Sequence, residues 1–500
     1  MKRLAKLKGF TSTLGLIIIL AMTTQSAVYA AQLPYDTYNY DYRDDVVYTP
    51  AAYVPDGSIS GVSLEYNGES IGAFNNPQDM CISTEGLVYL ADTGNNRIVV
   101  LNQSMTRVEQ VITGFDHNGV ADTFNQPKGV CVSENNRLYI ADSMNKRIVI
   151  LELTGELVGI VENPTSEVLA DDFVFTPMKI TVDYADRIYC IAQGMFEGIM
   201  VFESSGNFTG FSGTIGVSIT LWDKFWRKLA TKEERTKQQL FIPTEFTGID
   251  VDDDGFIYAS SIDTSGKQAV RRLNPKGQDV IKKGVDANLG GDLWISGFSD
   301  YSGASEIIDV VYRDKGIYSI LDRKRGRVFT YDHEGNLLYI FGGIGTQAGT
   351  FNTPVAIEET GEKLLVLDSF RCEILVFAAT EYGTLINDAI ALRYDGDEKL
   401  AIDKWNTVLK LDENNELANT GIGKAYLTAG DYENAMKYLE RGMSRDYYSI
   451  AYKRYRNNVL KENLNYIMTG AIVLIGAGII ITKVRKRKNY NEDDSGGGLI

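Results

Sequence analysis

Acidic and basic residues recur at a fixed spacing in this chain of 500 residues and are the first candidates for chemistry. Three carboxylate–guanidinium pairs share a separation of five residues: Asp92 with Arg97, Asp142 with Arg147, and Asp322 with Arg327. A reaction needs one site, whereas these pairs recur in each well-formed unit of the sequence. We therefore interpret them as structural pairs that hold a turn and bridge neighbouring units. Breaking a pair should cost several kcal/mol if it is buried and about 0–1 kcal/mol if it is exposed.

The segments around these pairs form an internal repeat. Residues 75–100 align with residues 125–150, and each reads as short strands separated by turns rich in Gly, Asn and Asp. Weaker copies occupy residues 175–193, 242–261, 314–327 and 352–373. Six copies of a sheet-forming unit close best as a ring, because a ring leaves only short, protected edges.

Two of the copies resemble a known family. LADTGNNRIVV at residues 90–100 and IADSMNKRIVI at residues 140–150 resemble NHL repeats, which form six-bladed β-propellers. The resemblance extends over residues 60–380 and implies a mainly β fold. Residues 31–59 are a lead-in rich in Tyr and Asp. Ring closure should need a strand from this region, and residues 46–60 are the candidate, with a β-prone run at 46–48.

The rest of the chain predicts a secreted and anchored protein. Residues 1–30 combine a basic start, an apolar run at 14–22 and a cleavage-like end, as in a secretory signal peptide. After the propeller, residues 381–463 show helical periodicity, and two segments align at an offset of 34 residues. These segments resemble tetratricopeptide repeats. The expected fold is therefore a six-bladed β-propeller followed by a small all-α domain and one transmembrane helix.

The predicted transmembrane helix covers residues 464–482, which contain no charged residue. At a rise of 1.5 Å per residue it would span about 28 Å, close to the thickness of a bilayer core. The tail at 483–500 begins with five basic residues in its first six, which predicts a cytoplasmic location. The expected protein crosses the cell membrane once, with its N-terminal domains outside the cytoplasm.

Composition limits the partners. The whole chain has a formal net charge of −16. The first nine residues contribute +4 and the last 18 contribute +2, so residues 10–482 carry −22. Such an acidic domain repels phosphate backbones, and we expect no nucleic-acid partner. The four cysteines lie in or beside strand-like runs and are interpreted as core residues. The two histidines are far apart, so the sequence shows no metal cluster.

One insertion departs from the propeller pattern. Residues 220–239 read as an amphipathic helix, with Trp222, Phe225 and Trp226 on one face. This aromatic stripe either caps the propeller or offers a docking surface for a protein or for the membrane interface. Together with Trp294, the two tryptophans also suggest a stacking platform for a glycan.

A second group of candidates follows from the resemblance, because six-bladed relatives include lactonases and lyases with a metal in the central channel. Alignment of the copies places five charged residues at the entry of the channel: Asp79, Lys128, Lys179, Glu245 and Asp309. Asp79, Glu245 and Asp309 could hold a hard cation such as Ca²⁺ through oxygen ligands. The simpler interpretation is a solvated polar rim, and no cofactor is predicted on that basis.

We expect a membrane-anchored binding or scaffold protein that uses propeller and helical repeats to bind a protein or a glycan. Both modules are interaction folds without chemistry of their own, and the sequence shows no nucleophile elbow, metalloprotease motif or phosphate loop. A non-enzymatic role is therefore favoured. The resemblance suggests an accessory part in nutrient uptake or envelope assembly. The alternative is a lactonase-like hydrolase with a channel metal.

Overall fold

The computed structural model describes residues 33–169, 172–213, 245–263, 268–283, 290–293 and 303–494, with side chains to residue 487. The predicted signal peptide lies outside the described residues. So do the aromatic insertion with Trp222, Phe225 and Trp226, and the isolated Trp294.

The propeller is built from six antiparallel sheets, or blades, five of which are formed by consecutive strands. Blade 1 contains β6 (Asp79–Ile82), β7 (Val88–Asp92), β8 (Arg97–Leu101) and β9 (Val108–Ile112). Blade 2 contains β12 (Pro127–Val132), β13 (Arg137–Asp142), β14 (Arg147–Glu152) and β15 (Leu157–Val161). Blade 3 contains β16 (Pro177–Val182), β17 (Ile188–Ala192), β18 (Ile199–Phe202) and β19 (Phe208–Ser212).

The other three blades differ in how they are completed. Blade 4 has three strands in the described part: β20 (Phe246–Val251), β21 (Ile257–Ser261) and β22 (Val270–Leu273). Blade 5 contains β23 (Ile307–Asp314), β24 (Ile317–Asp322), β25 (Arg327–Tyr331) and β26 (Leu337–Phe341). Blade 6 contains β27 (Pro354–Thr360), β28 (Lys363–Asp368), β29 (Glu373–Ala379) and, from far upstream, β3 (Tyr53–Ser60). The first strand of each blade contacts the first strand of the next, and blade 6 contacts blade 1, so the prediction of a six-bladed propeller is confirmed.

Strand β3 closes the ring by pairing antiparallel with β29. Tyr53 at its start is fully buried and stacks on Phe341 at a ring distance of 5.2 Å. The β-prone run β2 (Val46–Tyr48) has another role, because it pairs with β1 (Tyr38–Tyr40) and its side chains are exposed. The closing strand is therefore selected by the side chains that fill the core and not by β-propensity alone.

Three short hairpins accompany the blades. The β1–β2 hairpin packs on blade 5, where Tyr38 and Tyr40 both bind Asp292 through their hydroxyl groups. Two further hairpins precede blades 1 and 2 and are formed by β4 (Glu65–Tyr66) with β5 (Glu69–Ser70), and by β10 (Gly114–His117) with β11 (Val120–Thr123). The lead-in is thus part of the packed structure.

Six helices follow the propeller: α1 (Glu381–Tyr394), α2 (Glu398–Leu411), α3 (Glu416–Ala429), α4 (Tyr432–Arg441), α5 (Arg445–Glu462) and α6 (Leu464–Asp494). Each of the first five packs against the next. Close packing depends on two glycines of α3, because a Cβ at Gly421 or Gly423 would lie 2.5 Å from Trp405 or Leu439. Small residues at these positions let the helix pairs approach closely.

The helices and the propeller share one hydrophobic core. Tyr53, Phe341 and Phe377 of the propeller belong to the same cluster as Ile386 and Trp405 of the helices. The hydroxyl of Tyr339 reinforces the junction by donating to Asn387 Oδ1 of α1 at 2.8 Å, and the same hydroxyl accepts a hydrogen bond from the Arg313 guanidinium at 2.7 Å. The helices that follow the propeller are consequently fixed on blades 5 and 6.

The last helix differs from the others. Within Leu464–Arg487 of α6, the most apolar stretch of 18 residues has a mean hydropathy of 2.1, and none of that stretch is buried in the protein. Its length and composition are sufficient to cross a membrane.

Candidate functional site

Three charged side chains meet on the propeller axis. Asp79, Lys179 and Asp309 occupy equivalent positions on the first strands of blades 1, 3 and 5. The Lys179 Nζ lies 2.5 Å from Asp79 Oδ1 and 3.2 Å from Asp309 Oδ2. One ammonium group therefore joins three alternate blades across the channel. We refer to these three residues as the axial triad.

The backbone of the neighbouring blades supports both carboxylates of the axial triad. Asp79 Oδ2 accepts a hydrogen bond from the Val130 amide at 3.0 Å, and Asp309 Oδ2 accepts one from the Ile357 amide at 2.9 Å. Gly248 leaves room for this arrangement, because a Cβ there would lie 2.3 Å from Asp309 Oδ1. Each acid thus binds the first strand of the blade that follows its own.

A second acidic layer lies two residues further along the first strands. Asp250 and Glu358 line a cavity of about 40 Å³ together with the axial triad, Cys81, Cys131 and Thr181. Asp250 Oδ2 accepts a hydrogen bond from the Tyr312 amide at 2.7 Å, which repeats the contact between successive blades seen in the triad. The cavity has room for a few water molecules.

Burial controls the protonation of this cluster. Burial raises the pKa of Asp309 to about 6, although the charge of Lys179 opposes it, and burial raises the pKa of Asp250 to about 7. Burial and then the charges of Asp250 and Asp309 raise the pKa of Glu358 well above its usual value. Burial alone would lower the pKa of Lys179, but Asp309 and Asp79 outweigh burial and raise it. Lys179 therefore remains an ammonium while its acidic neighbours compete for one positive charge.

The structure separates the other predicted channel residues from this cluster. Glu245 lies away from the axial triad and accepts a hydrogen bond from the Gly194 amide at 2.6 Å. Lys128 is partly exposed, next to Gly129 on β12. Asp79 and Asp309 are only 4% and 5% exposed, and the space between them is filled by the Lys179 ammonium, where the sequence suggested a cation bound by carboxylates. Within the described ranges, no group of three or more His, Cys, Asp or Glu side chains is placed to hold a metal ion.

Two of the three repeated pairs form as ion pairs in the described structure. The Nε atom of Arg97 lies 2.7 Å from Asp92 Oδ2, and that of Arg147 lies 2.8 Å from Asp142 Oδ2. Arg327 instead donates to the backbone oxygens of Asp36 and Gly342. Asp322 lies 3.7 Å from a different guanidinium, that of Arg325. The N-terminal lead-in reaches Arg327 in blade 5, which explains why the third pair is replaced.

The formed pairs act inside their own blade. Asp92 accepts from the Asn75 amide at 2.7 Å, and Asp142 accepts from the Asn125 amide at 2.7 Å, so each acid ties the turn after the second strand to the entry of the same blade. The bridge to the neighbouring blade comes from the next residue. Thr93 and Ser143 donate through Oγ to the carbonyl oxygens of Pro127 and Pro177, both at 2.6 Å.

Sequence reasoning missed Asp250, Glu358 and the bridging hydroxyls. The alignment that placed Asp79, Lys179 and Asp309 could have found the acids, because side chains on a strand return to the same face every second residue. Continuing each of the six first strands by two positions gives Cys81, Cys131, Thr181, Asp250, Val311 and Glu358. The bridging hydroxyls had a weaker signal in the sequence, which was the Thr or Ser that directly follows the repeated Asp.

The two clearest copies of the repeat match a known repeat family. The NHL repeat model matches residues 74–101 and 124–151. The chain contains NHL repeats. These two segments coincide with blades 1 and 2, where the Asp–Arg turn is complete.

No curated protein matches this chain. Among solved structures, a virginiamycin B lyase from Staphylococcus aureus with quinupristin is 13% identical over 69% of this chain and 96% of its own, with a TM-score of 0.39. Hydrazine synthase from Kuenenia stuttgartiensis is 11% identical over 63% of this chain and 99% of its own, with a TM-score of 0.38. Likeness at this level carries no information about activity.

Proposed function

We propose that this chain is a membrane-anchored binding or scaffold protein that holds a protein partner outside the cytoplasm. The observation that supports this most is that the propeller and the helices share one core, while the last helix is exposed, apolar and of membrane-spanning length. A propeller suits protein binding because it presents two rigid faces of turns. The helices, which we propose to be tetratricopeptide-like, would fix those faces relative to the anchor.

The axial cavity favours a structural role at the axis over catalysis. Its volume of about 40 Å³ is far below the roughly 300–1,000 Å³ of pockets that enclose small organic ligands. Lys179 also occupies the place where a lactonase-like site would hold a metal between carboxylates. The axial triad is accordingly a buried ion-pair cluster that holds three alternate blades together.

The proposed orientation rests on the N-terminal segment. A cleaved signal peptide at residues 1–30 would place the propeller outside the cytoplasm. The charge bias across the span is small, because five basic residues follow it directly and four precede it closely. In this topology the propeller and helices are available to envelope or uptake components, or to a glycan.

One propeller face carries exposed apolar side chains suited to a partner. Met144 and Phe370 occupy equivalent turns after the second strands of blades 2 and 6 and are 52% and 72% exposed. Tyr184, at the other end of a second strand in blade 3, is 52% exposed on the opposite face. The three positions therefore test the two faces separately.

Photo-crosslinking in intact cells tests the proposal. A photoreactive residue is placed at Met144, at Phe370 or, as the matched control, at Tyr184, and adducts are identified after irradiation. We expect envelope-protein adducts from Met144 and Phe370 and few from Tyr184. The proposal is wrong if none of the three positions yields a protein adduct, or if external protease leaves the propeller intact in cells whose envelope admits protease.

A further inference from the structure

The helix that precedes the candidate span carries positive charge in an otherwise acidic molecule. Helix α5 has five basic and two acidic residues, a net charge of +3, whereas residues 10–482 together carry −22. Four of the basic residues lie in its last ten positions: Lys453, Arg454, Arg456 and Lys461. Positive charge is therefore concentrated next to the span.

Only the first half of α5 packs against the protein. Ala451 is fully buried, and the Tyr455 hydroxyl donates to Glu433 Oε1 of α4 at 3.2 Å. From Arg456 to Glu462 every residue is exposed. At 1.5 Å per residue, Leu464 begins about 13 Å beyond Tyr455 along the helix. The exposed half of α5 thus projects from the repeats towards the start of the span.

The four cations are available to bind another molecule. Among the residues that the structure describes, none of the four forms an ion pair or a side-chain hydrogen bond. Elsewhere the cations of this acidic protein are often engaged, as Arg147 and Lys424 are. Val459 and Leu460 beside them are 39% and 48% exposed, so this half of α5 presents apolar and basic side chains together.

We propose that α5 from Lys453 to Lys461 binds anionic phospholipid headgroups at the membrane surface where the span begins. The inference rests on the proposed membrane anchorage. Lys461 is three residues from Leu464, about 4.5 Å along the axis, and so lies at headgroup depth. Asn463 ends α5 before α6 begins, so the two helices need not be collinear and α5 can incline towards the surface.

Charge explains why this contact matters for the whole molecule. An anionic membrane repels the acidic propeller, whereas each Lys or Arg near such a surface is attracted by about 1 kcal/mol. The apolar side chains of Val459 and Leu460 add contact at the interface, as in other basic amphipathic helices. Helix α5 would then keep the propeller close to the surface against the repulsion.

The test uses the full chain in nanodiscs of phosphatidylcholine with or without phosphatidylglycerol, and amide hydrogen exchange is followed by mass spectrometry. We expect exchange in residues 456–462 to slow by at least about tenfold in the anionic discs, since one cation near the surface contributes about fivefold in occupancy and four together contribute more. High salt should reverse the effect. A variant with Lys453, Arg454, Arg456 and Lys461 changed to Gln should show no difference between the two lipids.

The control variant changes four exposed lysines away from the span to Gln: Lys276, Lys282, Lys399 and Lys410. It alters the net charge equally and should keep the lipid dependence of the parent chain. The inference is overturned if the parent chain remains in the discs and exchanges equally in both lipids, or if the control also loses the effect. If the chain does not remain in the discs at all, the proposed anchorage fails as well.

Discussion

Lys179 decides the character of the propeller axis. Its ammonium is shared by Asp79 and Asp309, and two further acids of the same cavity, Asp250 and Glu358, have no second cation among the lining residues. These four carboxylates cannot all ionise without a large loss of stability, because burial removes the water that would stabilise their charge. Stability at the axis should therefore depend on Lys179 and on pH.

Replacing Lys179 by Met keeps an unbranched side chain that is one atom shorter and removes its charge. We expect Lys179→Met to reduce the free energy of unfolding by about 3–5 kcal/mol near neutral pH, because two buried carboxylates lose their partner. Chemical denaturation of the purified chain, followed by circular dichroism, measures this loss. Changing Asp79 and Asp309 to Asn in the same variant should restore most of it. A Lys179→Met variant as stable as the parent would contradict the role of the axial triad.

Asp250 gives a prediction for pH dependence. Its pKa is about 7 in the folded protein and about 3.9 in an unfolded chain. The folded state thus holds this proton more tightly, and ionisation costs stability as pH rises between these values. Asp250→Asn removes that cost and keeps an acceptor for the Tyr312 amide. We expect the variant to gain in Tm relative to the parent at pH 8, and to gain much less at pH 5.

The matched control for this prediction is Asp45→Asn, which alters an exposed carboxyl of the lead-in. Its effect on Tm should be small and similar at both pH values. An Asp250→Asn variant whose Tm difference does not change with pH would show that Asp250 is not protonated in the folded protein.

At the scale of elements, the blades are joined by their turns as well as by their first strands. The turn after β7 ends with Asn96 at a φ of 53°, and the turn after β13 ends with Lys146 at a φ of 60°, so both reverse sharply in the left-handed region. This geometry directs Thr93 and Ser143 to the carbonyl oxygens of the next blade. Turn sequence and assembly of the blades are thereby linked.

Removing one hydroxyl should measure this link. We expect Thr93→Val to lower the free energy of unfolding by about 1–2 kcal/mol, because the Pro127 carbonyl oxygen loses a buried donor. Thr123→Val, which changes an exposed threonine of β11, serves as the control and should be near neutral. Equal stability of the two variants in thermal denaturation would argue against the bridge.

At the scale of the whole molecule, the propeller and the helices that follow it form one packed body. Glu334, in the turn between β25 and β26, lies 2.5 Å from Lys424 of α3 and 3.5 Å from Arg393 of α1. It therefore occupies the side of the helices that faces the propeller. A partner that uses the helices would have to bind elsewhere on them or displace this turn.

Glu334→Gln tests the junction. Burial alone would raise the pKa of Glu334, but Lys424 and Arg393 lower it to about 2. Its stabilising effect is present above the unfolded pKa of about 4.3 and is lost as pH falls towards 2. We expect the variant to lose about 2–3 kcal/mol at neutral pH, with the difference from the parent shrinking in acid. Glu362→Gln, at an exposed position of blade 6, should leave the free energy of unfolding nearly unchanged both at neutral pH and in acid.

The sequence by itself determined the features that depend on neighbours along the chain. The two full NHL repeats, the six units, the turn acids Asp92 and Asp142, and the apolar helix could all be read from local spacing. Strand alternation and helix periodicity arise within a few residues, so a linear pattern is enough to identify them.

Only the tertiary structure decided which distant residues meet. Lys179 binds acids that lie 100 and 130 residues away, and within the predicted closing region 46–60 it is β3, not Val46–Tyr48, that completes blade 6. Glu334 reaches Lys424 across 90 residues and fixes the helices on the propeller. These partnerships depend on the closure of the ring and on complementary packing in its core, and neither leaves a fixed spacing in the sequence.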